Sequence, residues 1–181
     1  MTDEDRQRLV AVAPDFGIRL LQPGAPQDQV VERCQTRPKL MDVLGARIEV
    51  LARLGDDDAD LVLLRESWPS GRSLPLHNHV DPKSLFVLSG ELEIYCHGSA
   101  GSWQKVGPEE AFHIPPDARH AVRNSGTATA KLLTVTTVRM LRFLESIGTK
   151  TSNAEPQQTG PQELAAFVGR MTAYEYGLII H

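Results

Sequence analysis

Between residues 41 and 138 the apolar residues arrive in short segments, and turn chemistry closes each one. Ile48, Val50 and Leu51 come first, then Leu61 to Leu64, with the turn-like run Gly55 to Asp58 between them. Further segments are Leu74 to His79, Leu85 to Leu88, Leu92 to Cys96, Ala111 to Ile114, His120 to Val122 and Lys131 to Val138. Ser70-Gly71, Asp81-Pro82, Ser89-Gly90, Gly98 to Gly101, Gly107-Pro108, Pro115 to Asp117 and Ser125-Gly126 divide them. Gly, Pro, Asn, Asp and Ser set up tight turns, and helices need longer uninterrupted runs. Many short strands with regular turn signals predict an all-β sandwich or barrel. Leu92, Ile94 and Cys96 alternate with Glu93, Tyr95 and His97, the period of a strand with two unlike faces.

The ends read differently. Thr2 followed by Asp5 has the pattern of a helix cap, with Leu9, Val10 and Val12 as a weak apolar face and Pro14 as the stop. A second short helix is expected at about residues 27–33, after Pro26. The rest of residues 15–38 reads as an arm rich in Pro, Gly and Gln. Met140, Leu141, Phe143, Leu144 and Ile147 predict an amphipathic helix ended by Gly148. Residues 149–160 read as a polar linker. Pro161 suits a first helical position, and Leu164, Ala165, Phe167, Val168 and Met171 carry the helical period to about Tyr174. The expected division is an N-terminal helical arm over 1–39, a barrel over 40–138 and a helical extension over 139–181.

Composition excludes several classes. Net charge is −4 with no long basic run, which argues against a nucleic-acid or anionic-membrane partner. Cys34 and Cys96 do not make a disulfide framework in 181 residues. Neither a signal segment nor a run of roughly 18–20 apolar residues is present, so the expectation is a soluble cytoplasmic protein.

The chemistry gathers at three histidines. His77 and His79 are two apart, so on a strand they share a face, and His120 lies in a separate segment. Imidazoles so placed can converge on one ion at about 2.0–2.1 Å and leave positions open for water or substrate. Nitrogen donors suit Fe, Ni, Zn or Cu better than Mg or Ca.

The stretch Gly71 to Gly90, GRSLPLHNHVDPKSLFVLSG, resembles the first motif of the cupin superfamily: Gly, five residues, His-x-His, three or four residues, Glu, six residues, Gly. Gly107 to Asn124, GPEEAFHIPPDARHAVRN, is similar to the second, with Pro115, His120 and Asn124 in register. The resemblance implies a double-stranded β-helix barrel, or jelly roll, with short terminal helices. It implies a divalent metal held by His77, His79 and His120, a small molecule bound in the barrel, and a homodimer. The helical tail resembles that of single-barrel cupins similar to quercetin dioxygenase.

Three positions depart from the motifs. The glutamate position holds Lys83 or Ser84, depending on the count. Two glycine positions of the second motif hold Glu109 and Asp117, of which Asp117 can still adopt a left-handed turn. A lysine ammonium about 5 Å from a divalent ion would cost roughly 6–7 kcal/mol at an effective dielectric near 20. Lys83 is therefore expected to swing out to solvent, to lose its proton, or to mark an empty site. Asp81 shares strand parity with the histidine pair, so it is a candidate replacement carboxylate, against the reading of a plain turn residue before Pro82. His113 reads as a structural histidine, with a pocket or proton-carrying role as the alternative. Trp68, Trp103, Tyr95 and Phe86 read as barrel aromatics, His97 and His181 as exposed, and Cys96 as buried and inert. The functional expectation is a metal-dependent oxidoreductase of dioxygenase type acting on a small organic substrate. The alternatives are a non-catalytic ligand-binding or sensing barrel, and a non-oxidative isomerase or cyclase.

Overall fold

The computed structural model describes residues 2–12, 39–96, 101–151 and 161–178. It divides the chain into two compact units, Met1–Gln35 and Thr36–His181. In the first unit the described element is helix α1, Asp3–Val12. The Thr2 amide donates to the Asp5 carboxylate at 2.9 Å and the Asp5 amide to the Thr2 hydroxyl at 3.2 Å. That reciprocal cap is the one expected from the sequence. Val12 is exposed. The helix expected at 27–33, Pro14, Cys34, His97 and His181 lie outside the described residues.

The second unit is mostly β. Its strands are β1 Lys39–Val43, β2 Ala46–Arg53, β3 Leu61–Trp68, β4 Ser73–Asn78, β5 Lys83–Ser89 and β6 Leu92–Cys96. They continue with β7 Trp103–Val106, β8 Ala111–Ile114, β9 His120–Arg123 and β10 Ala130–Thr137. Helix α2, Val138–Ile147, leads to β11, Thr149–Lys150, and helix α3, Pro161–Ala173, precedes β12, Gly177–Leu178. One antiparallel sheet has the order β11-β1-β2-β3-β10-β5-β8, the other β12-β4-β9-β6-β7. Two such layers, with sequentially distant strands as neighbours, make the jelly roll that the short segments predicted.

The alternation of each strand decides which side chains meet. On β3, Val62, Leu64, Glu66 and Trp68 are buried while Leu61 and Arg65 face out. On β10, Leu132 and Thr134 face in and Val135 faces out. Leu85, Val87, Leu92, Ile94, Val106, Ile114, Val122 and Leu132 fill the space between the layers. A second apolar cluster joins Met41, Ile48, Val62 and Leu64 to Met140, Leu141 and Phe143 of α2 and to Phe167, Met171 and Tyr176. The tail is therefore part of the core.

Gly148 ends α2, as expected. Its backbone is extended, with φ −81° and ψ 147°, and its amide donates to the Leu144 carbonyl at 2.8 Å. A β-carbon there would sit 2.8 Å from that oxygen, so close approach is what demands glycine. Cys96 is only half buried, against the expectation of a core thiol, because β6 ends there. Strand β7 escaped the sequence reading because Trp103–Val106 is short, with only its two end residues apolar.

Candidate metal centre

Register brings two histidines together. Strands β4 and β9 are antiparallel neighbours, and His77 lies opposite His120. The ladder shifts between Leu74 and His77, at the place where Pro75 has no amide to give. His79 follows directly after β4 rather than lying on it as expected. Its carbonyl accepts from the Asp117 amide at 2.8 Å. Asp117 sits at φ +61°, the left-handed conformation expected of it, and Glu109 at φ +67° also keeps the shape of the glycine it replaces.

Ring centroids are 4.1 Å apart for His77 and His120, 4.9 Å for His79 and His120, and 5.6 Å for His77 and His79. Each residue offers a nitrogen, and these nitrogens all lie within 4.8 Å of one another. An ion held by each at about 2.1 Å keeps its donors within about 4.2 Å.

The tautomers are set by the backbone. Nδ1 of His77 is 2.8 Å from the Pro75 carbonyl, Nδ1 of His79 is 2.7 Å from that of Asp81, and Nδ1 of His120 is 2.8 Å from that of Ala118. A carbonyl only accepts, so each Nδ1 carries the proton and donates. Each Nε2 keeps its lone pair. Burial makes an imidazolium unfavourable here, and the positive charge of Lys83 adds to the effect. It holds His79 and His120 down to about 4 and His77 well below its ordinary value, and the neighbouring histidines disfavour a charge on His77 and His79 as well. Three neutral nitrogen donors fit Fe, Ni, Zn or Cu.

The shifts carry a pH dependence. With folded pKa below unfolded pKa, the unfolded chain binds more protons between about pH 6.5 and pH 4. Stability is therefore complete above about pH 6.5 and falls as pH drops, by up to about 1.4 kcal/mol per pH unit for each histidine. Thermal melts of metal-free protein from pH 7 to 4.5 should show a falling Tm, with a shallower fall in His120→Ala. A flat Tm over that window contradicts the burial of neutral imidazoles.

Glu66 is the residue that sequence reasoning missed. It is 1% exposed, and its Oε2 accepts from the Trp68 indole at 2.9 Å. Its Oε1 pairs with the Lys83 ammonium at 3.0 Å. Burial pushes this carboxyl up, but the charge of Lys83 and the hydrogen bond from Trp68 outweigh it and hold the acid below its usual range. Lys83 does not take the first of the expected courses, a swing out to solvent. It faces inward, its side chain 18% exposed, with its charge matched by Glu66. The signal was present in the sequence: Glu66 interrupts the buried parity of Val62, Leu64 and Trp68.

Asp81 is no replacement ligand among the described residues and is more than a turn residue. It is 3% exposed, and its two oxygens accept from the hydroxyls of Thr137 and Tyr176. Thr137 also caps α2 by accepting from the Met140 amide at 3.1 Å. Tyr176 is carried to the site by the pairing of β12 with β4, where Leu178 lies opposite His77. Its ring packs 5.7 Å from His79 and 4.8 Å from Phe143. Nothing local in the sequence announces that contact, which depends on a pairing about 100 residues apart.

His113 is exposed, hydrogen-bonded to Ser84 at 2.9 Å and away from the histidine set. Of the aromatics, Trp68 lines the cavity, Tyr95 and Trp103 pack on each other at 5.6 Å, and Phe86 is 40% exposed on the outer face. Asn124, 1% exposed, donates at 2.8 Å to the carbonyls of Trp68 and of Ala128 and accepts from the Gly126 amide at 3.0 Å. It joins the end of β3 to the turn after β9.

A cavity of about 80 Å³ opens onto His77, His79 and His120 from one layer and Glu66 and Lys83 from the other. The rest of its wall is mainly apolar, including Val43, Ile48, Leu85 and Leu132. Such a space accommodates a few waters or a small organic molecule.

The second unit is an antiparallel two-layer barrel with three convergent histidines at its inner wall. Residues 64–136 match the family described as the cupin domain, and this stretch carries the cupin-type jelly roll. Among solved structures it is similar to a RmlC-like cupin from Shewanella frigidimarina, at 17% identity and a TM-score of 0.46, over 56% of this chain and 84% of that one. It is also similar to the TT1209 protein of Thermus thermophilus, at 24% identity and a TM-score of 0.39, over 48% and 81% of the two chains. A third is the DMSP lyase DddQ from Ruegeria pomeroyi, at 24% identity and a TM-score of 0.40, over 52% and 44%. None of the curated proteins matches the chain. No described helix is long and apolar enough to cross a membrane.

Proposed function

We propose that the protein is a metal-dependent oxidoreductase of dioxygenase type, holding a divalent transition metal with His77, His79 and His120 and acting on a small organic substrate in the cavity. The observation that carries this reading is the common tautomer: three buried Nδ1–H groups tied to backbone carbonyls, which leaves each Nε2 lone pair free, on three histidines that each offer a ring nitrogen within 4.8 Å of the others. Once bound, such a metal supplies Lewis acidity and, if it is redox-active, electron exchange with oxygen. The chain's own residues do the rest. The backbone carbonyls orient the imidazoles, the apolar wall excludes water, and Asp81 fixes the Tyr176 ring beside His79 through its hydroxyl. The division into arm 1–39, barrel 40–138 and extension 139–181 belongs to this reading, as does a cytoplasmic location.

Elemental analysis of the purified protein, together with oxygen uptake in the presence of small organic compounds, tests it. About one redox-active metal per chain and substrate-dependent oxygen consumption are expected. Stoichiometric zinc without oxygen uptake favours the isomerase or cyclase. Failure to take up any of the four metals leaves the non-catalytic ligand-binding barrel, which the loss of the motif carboxylate favours.

The reading includes a homodimer. On the outer face of the seven-stranded sheet Leu61, Phe86, Leu88 and Val135 are 40–43% exposed, which supports pairing of two copies there. Sedimentation equilibrium should give twice the 19.9 kDa of the chain, and a monomer at micromolar concentration removes this part of the proposal.

A further inference from the structure

We propose that the substrate or ligand is a small organic anion, a carboxylate with an apolar body, and that Lys83 is the residue that recognises its charge. This rests on the reading of the three histidines as a metal centre and names what that centre receives.

Charge balance inside the cavity points to it. Three neutral imidazoles leave a bound divalent cation with its whole charge. At the position where the cupin motif has a carboxylate, this chain has the ammonium of Lys83. Glu66 balances that ammonium at 3.0 Å and does no more. With metal bound, the cavity therefore holds two uncompensated positive charges in apolar surroundings. Burying charge without a partner is unfavourable, so an anion is favoured over a neutral molecule of the same shape.

Geometry gives the anion a place. Lys83 and the histidines belong to opposite layers and line one cavity. An ammonium has three N–H donors, and the partner named for Lys83 among the described residues is Glu66, an ion pair at 3.0 Å. The indole of Trp68 donates to the same Glu66, so the carboxylate that aims Lys83 is itself fixed. Apolar walls on the remaining sides suit a hydrocarbon body. A cavity of about 80 Å³ limits it to a few carbon atoms.

Calorimetric titration of zinc-loaded protein with butanoate and with butanamide tests this. The two probes have nearly the same shape and differ in charge. Butanoate is expected to bind at least tenfold more tightly. Lys83→Met alone leaves Glu66 buried without its partner and endangers the fold, so the informative variant pairs Lys83→Met with Glu66→Gln, which leaves the wall neutral. That double variant should lose at least tenfold in butanoate affinity and change little toward butanamide, while its zinc affinity stays within about threefold of the parent.

Equal binding of the two probes by the parent, or an undiminished preference in the double variant, overturns the proposal with the metal centre intact. If the parent binds no zinc, the metal reading fails, and the same titrations on metal-free protein decide the role of Lys83. A preference lost in the double variant retains it as the anion anchor; no preference removes it.

Discussion

His120→Ala is expected to lower the affinity for zinc or iron by at least about a hundredfold, roughly 2.7 kcal/mol, and to abolish any metal-dependent turnover while the barrel stays folded. In the proposed centre each of the three nitrogens supplies a bond that the other two cannot replace. His120 is the member that belongs to a separate strand, facing His77 across the β4–β9 ladder. Its removal leaves a pair from one short segment, too few donors to fix a coordination geometry. The fold should survive because the imidazole is neutral and its only named hydrogen bond is a local one, to the carbonyl of Ala118. Calorimetric titration of metal, with circular dichroism on the same sample, gives both readings. Parental affinity in a folded variant would remove His120 from the site and the proposed activity with it.

The second large effect concerns the charged pair on the opposite wall. Glu66→Gln should destabilise the protein by about 3–5 kcal/mol, because it strands the Lys83 ammonium in an apolar interior. For a chain of this length that corresponds to a fall in Tm of roughly 10 °C. Lys83→Met should cost a similar amount by stranding Glu66, which is 1% exposed. The double variant Glu66→Gln with Lys83→Met should recover most of the loss, since a neutral wall strands nothing. Urea melts of the four proteins form a double-mutant cycle. Strictly additive losses would mean that the two groups do not act as a pair. The experiment also bears on how a cupin barrel tolerates losing its motif carboxylate: the lysine that replaced it is accommodated by an acid two strands away, across β10.

Much of the barrel was legible in the sequence, for a local reason. Turn residues and two-residue alternation act over a few positions, so strands such as Leu92–Cys96 and Ala111–Ile114 could be bounded from their own letters. The three histidines could be read because spacing on a strand fixes the face and the motif supplied the partner segment. Asp117 shows the limit of letters taken alone: the motif's glycine is gone, yet the left-handed turn remains at φ +61°. Lys83 shows it more strongly. From the sequence its charge looked intolerable beside a cation and a swing to solvent was one way out; that swing does not occur, because its partner Glu66 lies elsewhere in the chain.

What the sequence by itself determined was the class of fold and the identity of the metal-ligand candidates, both carried by short-range patterns. Only the tertiary structure decided the polar design around them. The pairing of Glu66 with Lys83, the capture of Asp81 by Thr137 and Tyr176, and the placing of Tyr176 against His79 each join residues from 17 to 97 positions apart. Such contacts arise from the register of non-neighbouring strands, and register is a property of the assembled sheets rather than of any one segment.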